Sequence, residues 1–469
     1  MSKVGYLTFG RDDFGFGLSL CLSELTQSEI YRVTPKTARI VDWLVFSCFW
    51  WEHIYVLADF LRRAGISKKQ AVRPRIVVGG FNTVNPLPFL AYADYVAVGD
   101  GEGVLRSLIE TEGNVPTNVL HDSHLRASYG TVPELKPWCH ETNEIARIEI
   151  ARGCKFPCTF CAVSHLKRYR ELPLEGVRAA LQTTKLKRVS LFAPEPTIHS
   201  QDEKITVIAH NMGKIRVDSD VRLDRLEKRK DSVPRVGVEG LSERLRKSVK
   251  KPYSNERILE SVRKAIADGR RGMFWYLILD LPGETDEDFR EFEGLLRQVG
   301  EIPGAKNFIL KPSPSVFLPT PFTPMQHESI HWDRDYARIW REFFGRGEDR
   351  DWDVIMAERS RVFSPGMRLL SMISTRAGEE FAEIENEAAR SGAIAVSAGR
   401  PVVRNLDALV CILARNGGPE RYTGQLTRGV WEDTVLVPDA RNRQSAAGGG
   451  SAGTDARTVL ADQAANLVA

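Results

Sequence analysis

The segment ARGCKFPCTFCAVSHLKRYREL, which runs from Ala151 to Leu172, places three cysteines within eight residues. The whole chain of 469 residues has only seven cysteines, so this concentration needs a chemical explanation. Cys154, Cys158 and Cys161 form the pattern C-x3-C-x2-C in a loop that follows a predicted strand. Three thiolates in one loop can bind three corners of a 4Fe–4S cluster and leave one iron open to a ligand that is not protein.

A structural zinc site is the alternative for the same loop. His165 lies four residues after Cys161 and would complete a tetrahedron of three cysteines and one histidine. Such sites usually stabilise small domains with little core, whereas this loop lies within a long α/β region. We therefore favour the iron–sulfur cluster, and a zinc-stabilised, non-catalytic binding protein stays open as an alternative. The other cysteines have apolar neighbours and are predicted to be core residues: Cys21, Cys48, Cys139 and Cys411.

Around the cysteine loop, apolar strand-like segments alternate with helical segments. The predicted strands are ARIEIA, KRVSLFA, KIRVD, PRVGVEG, MFWYLILDL and NFILKP. The predicted helices include PLEGVRAALQTT, NERILESVRKAIADG and DEDFREFEGLLRQVG, the last capped by Thr285 of the segment LPGET. Six βα units predict a partial (β/α)6 barrel, whose working face lies at the carboxyl ends of the strands. The cysteine loop follows the first of these strands directly.

The N-terminal part of the chain shows the same alternation and predicts a doubly wound, Rossmann-like parallel sheet. The predicted strands are KVGYLTFG, DWLVFSCFW, RPRIVVGG and the start of YVAVGDGEGVLRSLIE, and EHIYVLADFLRRAG is predicted as a helix that ends at Gly65. Ligands of such sheets bind beyond the carboxyl ends of the strands. The candidate cofactor-binding residues at these ends are Gly79, Gly80, Gly99, Asp100 and Gly101.

These patterns divide the chain into five predicted segments. They are a Rossmann-like domain (1–125), a linker (126–144), the partial barrel (145–330), a mostly helical region (331–438) and a flexible tail (439–469). The proline-rich stretch KPSPSVFLPTPFTP, from Lys311 to Pro324, is expected to form a stiff irregular loop beside the site.

Composition indicates an ordinary globular protein, with 42% hydrophobic and 27% charged residues. The first residues lack the features of a secretory signal, and the apolar run Trp43–Trp51 is too short to span a bilayer, so we expect a cytoplasmic protein without membrane contact. This run is predicted to be a buried strand. The net charge of +4 says little about partners. The basic runs HLKRYR, LDRLEKRKD and ERLRKSVKK are interpreted as solvated helix faces, and a nucleic-acid partner stays open.

The cysteine motif resembles the signature of the radical S-adenosylmethionine (radical SAM) superfamily, with Phe160 as the aromatic residue before the last cysteine. The segments Val236–Ala265 and Tyr276–Phe289 resemble later barrel strands of members that carry a cobalamin-binding-like domain in front. The stretch VVGGFN…DYVAVGDGEGVLRSLI resembles the end of that front domain. The resemblance extends over roughly residues 1–325 and leaves the C-terminal third without a counterpart.

The resemblance implies specific roles for residues of this chain. The three cysteines would bind the cluster, and its fourth iron would chelate S-adenosylmethionine, which is cleaved to methionine and a 5′-deoxyadenosyl radical. Glu195, in the turn APEPT, stands in the place of a Gly-Gly-Glu-like turn that holds the amino group, although both glycines are absent. Glu239 and Arg222 are the candidates for contacts to the ribose and carboxylate of S-adenosylmethionine; exposed or helix-capping charges are the alternative.

Whether the front domain binds cobalamin is left open. Proteins that place a histidine below cobalt carry an Asp-x-His-x-x-Gly loop after the first strand, and here that loop, GRDDFGFGL, has no histidine. Related radical enzymes bind cobalamin without that motif, and the glycines at the sheet edge would permit close approach of a planar ligand. Alternatively, these are simple turn glycines. Methylthiotransferases are disfavoured, because Cys21, Cys48 and Cys139 lie outside the loops expected for a second cluster.

The leading hypothesis is thus a radical SAM enzyme that modifies an unactivated carbon by cobalamin-dependent methyl transfer. The first alternative is a cobalamin-independent isomerase or modifying enzyme that acts on a nucleobase or other biosynthetic intermediate. Both need an electron donor such as flavodoxin or ferredoxin.

Overall fold

A six-stranded sheet forms the N-terminal part of the computed structural model, with the order β2-β1-β3-β4-β5-β6. Strands β1–β5 are parallel, and β6 is antiparallel to β5. The strands are β1 (Ser2–Thr8), β2 (Ser28–Arg32), β3 (Trp43–Ser47), β4 (Arg75–Gly79), β5 (Tyr95–Ala97) and β6 (Val119–Leu120). The helices are α1 (Phe16–Ser23), α2 (His53–Ala64), α3 (Leu87–Leu90) and α4 (Val104–Ile109). The structure describes residues 1–9, 15–111, 114–142, 145–211, 215–218, 233–344 and 364–436.

Helices cover both faces of this sheet. Leu18 and Leu22 of α1 and Leu105 of α4 join one buried cluster with inward-facing strand residues. On the other face, Phe46 of β3 contacts Phe60 of α2, with ring centroids 5.4 Å apart. The predicted strands β1, β3, β4 and β5 and the predicted helix α2 are therefore confirmed, and Gly65 ends α2 with a φ of 65°.

The structure of this region differs from the sequence-based expectations in two places. The apolar run from Trp43 to Trp51 is a buried strand only as far as Ser47, because the chain then leaves the sheet and exposes Phe49 and Trp50 at 40% and 45%. Strand β2 was not predicted, since its exposed sequence SEIYR lies at the sheet edge and lacks an apolar pattern.

The middle of the chain contains the six predicted parallel strands. They are β9 (Ala146–Glu149), β12 (Val189–Phe192), β13 (Ile215–Asp218), β14 (Arg235–Glu239), β15 (Gly272–Leu279) and β16 (Ile309–Val316). They lie in two sheets, with the orders β13-β12-β9-β8, where β8 is Cys139–Glu141, and β14-β15-β16. The mixed α/β class is confirmed, whereas closure of the six strands into one partial barrel stays a prediction, since residues 219–232 between β13 and β14 lie outside the described residues.

Shorter strands and helices connect these six. The strands are β7 (Ala127–Ser128), β8 (Cys139–Glu141), β10 (Ala151–Arg152) and β11 (Arg170–Glu171). The helices are α5 (Ala162–Leu166), α6 (Leu174–Gln182), α7 (Asp202–Asn211), α8 (Glu243–Ser248), α9 (Asn255–Ala267) and α10 (Asp286–Gly300). The predicted linker is thus partly structured, because β8 pairs with β9 and extends its sheet.

The proline-rich segment after β15 was predicted wrongly in its first half. Residues from Lys311 to Val316 belong to β16, and only the residues after Val316 leave the strand. Pro312 and Pro314 are tolerated because β16 is an edge strand, where a missing N–H need not pair with a second neighbour.

The C-terminal region is mostly helical in its described part. Its elements are α11 (Tyr336–Phe344), α12 (Pro365–Arg376), α13 (Phe381–Arg390), β17 (Ile394–Ser397), β18 (Arg400–Val403), α14 (Leu406–Arg415), α15 (Glu420–Thr423) and β19 (Val435–Leu436). Strands β17 and β18 form an unpredicted hairpin, and β19 pairs with β7. Cys411 is exposed, contrary to its prediction as a core residue, because Leu409, Ile412 and Leu413 form the buried face of α14. The predicted flexible tail, 439–469, lies outside the described residues.

The C-terminal region packs onto the rest of the chain, and residues Met1–Leu436 form one compact unit. The hydroxyl of Tyr55 in α2 donates to the carbonyl of Leu370 at 3.0 Å. The buried guanidinium of Arg376 donates to four carbonyls, those of Gln326, Glu328, Tyr422 and Gly424. None of the described helices is long and apolar enough to cross a membrane.

The turn before α10 combines the predicted helix cap with a buried acid. Thr285 is the N-cap of α10 and forms a capping box with Asp288, whose side chain accepts the N–H of Thr285 at 2.8 Å, so the predicted capping role is confirmed. Glu284 accepts the backbone N–H of Asp280 at 3.0 Å, but its other carboxyl oxygen is buried without a hydrogen-bond partner among the described residues. Burial raises the pKa of Glu284 from 4.5 to about 8.

Glu284 is therefore expected to make stability depend on pH. Between pH 4.5 and about 8 the carboxyl ionises in the unfolded chain but stays protonated in the folded one. The free energy of unfolding should fall as pH rises through this window, by at most about 1.4 kcal/mol per pH unit, and level off above it. Denaturant unfolding of Glu284→Gln at several pH values should lack this slope. Parallel pH curves for the variant and the parent protein would contradict the assignment.

Candidate functional site

The cysteine loop is closed at its base by a short antiparallel ribbon. Strands β10 and β11 pair Ala151 with Glu171 and Arg152 with Arg170. Between them, Gly153 adopts a φ of 81°, and a Cβ there would meet the carbonyl oxygens of Arg168 and Lys167 at 2.5 and 2.6 Å. Only glycine allows this close approach of the two loop ends. The ribbon therefore fixes the backbone at Gly153, the residue directly before Cys154.

The three thiols of the loop share one environment. Cys158 is buried, Cys154 and Cys161 are partly buried, and all three are free. Burial raises the pKa of Cys154 to about 11 and that of Cys158 to about 12, and in each case the charge of Cys161 adds to the effect. The thiols are thus close enough to influence one another, and burial disfavours the ionised form of each. Metal uptake must displace their protons.

His165 does not complete a zinc tetrahedron in this arrangement. Its Nε2 lies 3.0 Å from the carbonyl oxygen of Cys158, so this ring nitrogen faces the backbone of the loop. Within the described residues no three His, Cys, Asp or Glu side chains are grouped as ligands of a single metal ion.

Two carboxylates predicted from the sequence lie beside the thiols. Burial makes the largest contribution to the raised pKa of each thiol. In addition, the charge of Glu195 raises the pKa of Cys154, and the charge of Glu239 raises the pKa values of Cys158 and Cys161. Glu195 also accepts the N–H of Thr197 at 3.2 Å. Glu239 ends β14 with a φ of 66°, a left-handed conformation that is costly for a residue with a side chain. Arg222 lies outside the described residues.

Lys251 orients Glu239. Its ammonium donates to Oε1 of Glu239 at 2.8 Å and to the carbonyl of Gly237 at 3.0 Å. Its charge also lowers the pKa of Cys158, against the larger effect of burial. Lys251 was predicted as part of a solvated basic run, but only 17% of its side chain is exposed.

A cavity of about 540 Å3 lies between the carboxyl edge of the N-terminal sheet and the cysteine loop. Its wall includes every candidate cofactor-binding residue of the N-terminal domain, namely Gly79, Gly80, Gly99, Asp100 and Gly101. The cavity is also lined by Gly153 and Val163 of the cysteine loop and by Phe192, the last residue of β12. Phe16 of α1 also lines the cavity and contacts Phe192, with ring centroids 5.0 Å apart. The site predicted from the N-terminal domain and the one predicted from the cysteines therefore adjoin.

Comparison with known proteins finds a family whose members resemble the part of the chain that contains this loop. Residues 148–296 match the family described as the Radical SAM superfamily, and this range contains all three cysteines. The chain therefore carries a radical SAM domain at residues 148–296. The family implies a 4Fe–4S cluster and S-adenosylmethionine as cofactors, in agreement with the thiols described above.

Two known relatives share only part of their length with this chain. An uncharacterized protein of Methanocaldococcus jannaschii, MJ0966, is 28% identical over 195 residues, which are 39% of this chain and 43% of that protein. The ribosomal protein uS12 methylthiotransferase RimO of Endomicrobium trichonymphae is 22% identical over 207 residues, 39% of this chain and 44% of the relative. This chain thus spans less than half the length of either relative.

Solved structures of radical SAM enzymes give weaker likenesses. The apo structure of the cobalamin-dependent S-adenosylmethionine radical enzyme OxsB gives a TM-score of 0.45 at 14% identity, over 89% of this chain and 66% of the other. Coproporphyrinogen III oxidase (HemN) of Escherichia coli gives a TM-score of 0.28 at 14% identity, over 57% of this chain and 61% of the other. TM-scores at this level do not establish a shared arrangement of domains.

The glycines that line the cavity are needed for different physical reasons. Gly80 and Gly99 have φ values of 110° and 90°, and a Cβ on them would meet the backbone of Cys48 at 2.6 Å and of Gly130 at 2.4 Å. Packing within the protein therefore requires both glycines. A Cβ on Gly79 would make only ordinary contacts, and one on Gly17 of α1, which also lines the cavity, would meet no atom within 4 Å. Gly79 and Gly17 thus keep space open in the cavity.

A network of ion pairs joins the cavity to the base of the cysteine loop and was not predicted. Arg152 contacts Asp100 at 3.0 Å, Glu102 at 2.8 Å and Glu149 at 2.7 Å. Burial opposes ionisation of Asp100, but the charges of Arg152, Lys167 and Arg170 outweigh it and lower the pKa of Asp100. One signal was present in the sequence, since charged residues at 147, 149 and 152 interrupt an otherwise apolar strand.

Proposed function

We propose that this radical SAM enzyme reductively cleaves S-adenosylmethionine at a 4Fe–4S cluster bound by Cys154, Cys158 and Cys161. We further propose that it modifies an unactivated carbon by cobalamin-dependent methyl transfer. The observation that carries the cobalamin part is the cavity of about 540 Å3 that reaches from the N-terminal sheet to the cysteine loop. A volume of this order is typical of cofactor sites, roughly 300–1,000 Å3.

The position of the cavity supports a cofactor site. In parallel α/β sheets, ligands bind beyond the carboxyl ends of the strands, where Gly79 and Gly99 lie. The side chains of Phe16 and Phe192 give the cavity an apolar wall suited to a large planar ring. The described part of the loop GRDDFGFGL, from Gly15 onward, contains no histidine, so the proposed corrinoid is held without a histidine from this loop.

The residues of the chain have distinct roles in this proposal. The three thiolates hold the cluster, which together with S-adenosylmethionine and a corrinoid supplies radical chemistry and a transferable methyl group. Glu195 and Glu239 are proposed to accept hydrogen bonds from polar groups of S-adenosylmethionine. Lys251 holds Glu239 in its strained conformation. The apolar wall of the cavity excludes water from the reacting groups.

The proposed architecture follows the predicted boundaries. Residues 1–125 form a Rossmann-like domain, 145–330 a partial (β/α)6 barrel, and 331–438 a mostly helical region, with 126–144 as the linker and 439–469 as the tail. Gly79, Gly80, Gly99 and Gly101 are proposed as the surface that faces the corrinoid. An electron donor such as flavodoxin or ferredoxin and a small-molecule or nucleobase-type substrate complete the reaction.

Anaerobic reconstitution tests this function. The purified chain is incubated with iron, sulfide and hydroxocobalamin, desalted, and examined by optical spectroscopy and metal analysis. About four irons per chain with retained corrinoid bands are expected. Four irons without corrinoid would replace the methyl-transfer proposal by the cobalamin-independent alternative. Zinc without iron would contradict both enzymes and favour the binding protein.

A further inference from the structure

One carboxylate of the N-terminal domain holds both ends of the cysteine loop. Asp100 follows β5, and only 1% of its side chain is exposed. Its Oδ1 lies 3.0 Å from Nη1 of Arg152, and its Oδ2 accepts from Nη1 of Arg170 at 2.8 Å. The backbone N–H of Val132 also donates to Oδ2, at 3.0 Å. Arg152 precedes the loop and Arg170 follows it, so Asp100 ties the two ends together.

The pairing of β10 with β11 explains why the loop needs this carboxylate. Arg152 and Arg170 are direct cross-strand neighbours in the ribbon that closes the loop. Like charges in opposite positions of two strands repel each other, and the repulsion is stronger where burial removes the screening by water. Both arginines are buried. A negative charge between them converts a destabilising pair into a bridged one.

Other carboxylates do not replace Asp100 at both arginines. Glu149 and Glu102 contact Arg152 at 2.7 and 2.8 Å. Among the ion pairs of the described residues, Asp100 provides the only carboxylate for Arg170. Arg170 otherwise donates to the carbonyl groups of Arg168 and Val132, which carry no net charge.

We propose that Asp100 is a positioning residue that keeps the cysteine loop closed and its three thiols in place for cluster binding. This inference rests on the proposed role of the thiols and makes the N-terminal domain a part of the cluster-binding apparatus. Because Asp100 also lines the cavity, its carboxylate connects the wall of the corrinoid site with the base of the loop. The carboxylate acts through Arg152 and Arg170 and does not itself contact the cluster.

The test compares Asp100→Asn with a matched variant, Asp94→Asn. Asp94 is also a carboxylate of the N-terminal domain that binds an arginine, Arg73, at 2.6 and 2.7 Å and accepts a backbone N–H, but it is remote in sequence from the cysteine loop and contacts none of its residues through a hydrogen bond. Hydrogen–deuterium exchange of residues 151–171 is measured in the full-length, metal-free protein. We expect exchange about tenfold faster in Asp100→Asn and unchanged in Asp94→Asn.

A second measurement uses the reconstituted protein. An iron chelator should remove iron about tenfold faster from Asp100→Asn than from Asp94→Asn. Equal exchange and equal iron loss in the two variants would overturn the proposal. Faster exchange throughout Asp100→Asn, including α10, would also overturn it, since Asp100 would then serve global stability alone. If Asp100→Asn is insoluble, Arg170→Gln is measured against the same criteria. The exchange experiment needs neither cluster nor corrinoid, so failure of the proposed function would not affect its outcome.

Discussion

Replacing Cys158 with alanine is expected to abolish binding of an intact cluster while the chain stays folded. A 4Fe–4S cluster held by only three protein thiolates has no spare ligand, so loss of one leaves two irons without a protein ligand. Cys158 lies in a loop and is absent from the hydrophobic clusters formed around β9 and β12 and in the N-terminal sheet. The iron content after reconstitution, measured together with sulfide, should fall from about four irons per chain to less than about one. Turnover should be lost.

Cys48→Ala is the matched control for this experiment. Cys48 is a free, fully buried cysteine, but it follows β3 in the N-terminal domain and is remote in sequence from the loop. This variant should bind iron as the parent protein does, with a modest loss of stability. Circular dichroism and denaturant unfolding distinguish loss of the cluster from loss of the fold. Unfolding of Cys158→Ala together with bound zinc in the parent protein would instead support a structural zinc site.

The sequence predicted the elements that carry the site, because their signals are local. Strands β9, β12 and β15 are apolar runs, and the cysteine spacing is visible within eight residues. The glycines predicted at the edge of the N-terminal sheet line the cavity, and their position follows from the general rule that ligands bind beyond the carboxyl ends of parallel strands.

Long-range electrostatic contacts could not be predicted in the same way. Asp100 and Arg170 are 70 residues apart in sequence, and no local pattern in either segment identifies the other residue as its partner. Lys251 occurs in a run of basic residues that is typical of a solvated helix face, yet the end of β14 brings Glu239 to it. These pairs depend on how two sheets approach each other, a property of the tertiary structure that single-sequence patterns do not encode.

Replacing Gly17 with leucine is expected to weaken corrinoid binding without loss of the cluster. Gly17 is the second residue of α1 and lines the cavity, and a Cβ there would meet no atom within 4 Å. A leucine side chain would therefore extend into space that the proposed corrinoid occupies. Overpacking costs about 1–3 kcal/mol, which corresponds to roughly a five- to 150-fold loss of affinity. Corrinoid retained after desalting, and a titration followed by its optical bands, should show the loss at an unchanged iron content.

Gly294→Leu provides the matched control. Gly294 lies inside α10, a Cβ there also meets no atom within 4 Å, and it does not line the cavity. Both substitutions replace a helical glycine, so both should raise helix stability by roughly 0.5–1 kcal/mol, and neither should unfold the protein. Equal corrinoid affinity in the two variants would place the corrinoid outside this cavity. Weaker binding in Gly17→Leu alone would locate the corrinoid between the N-terminal sheet and the cysteine loop. It would then lie beside the thiols that are proposed to hold the cluster.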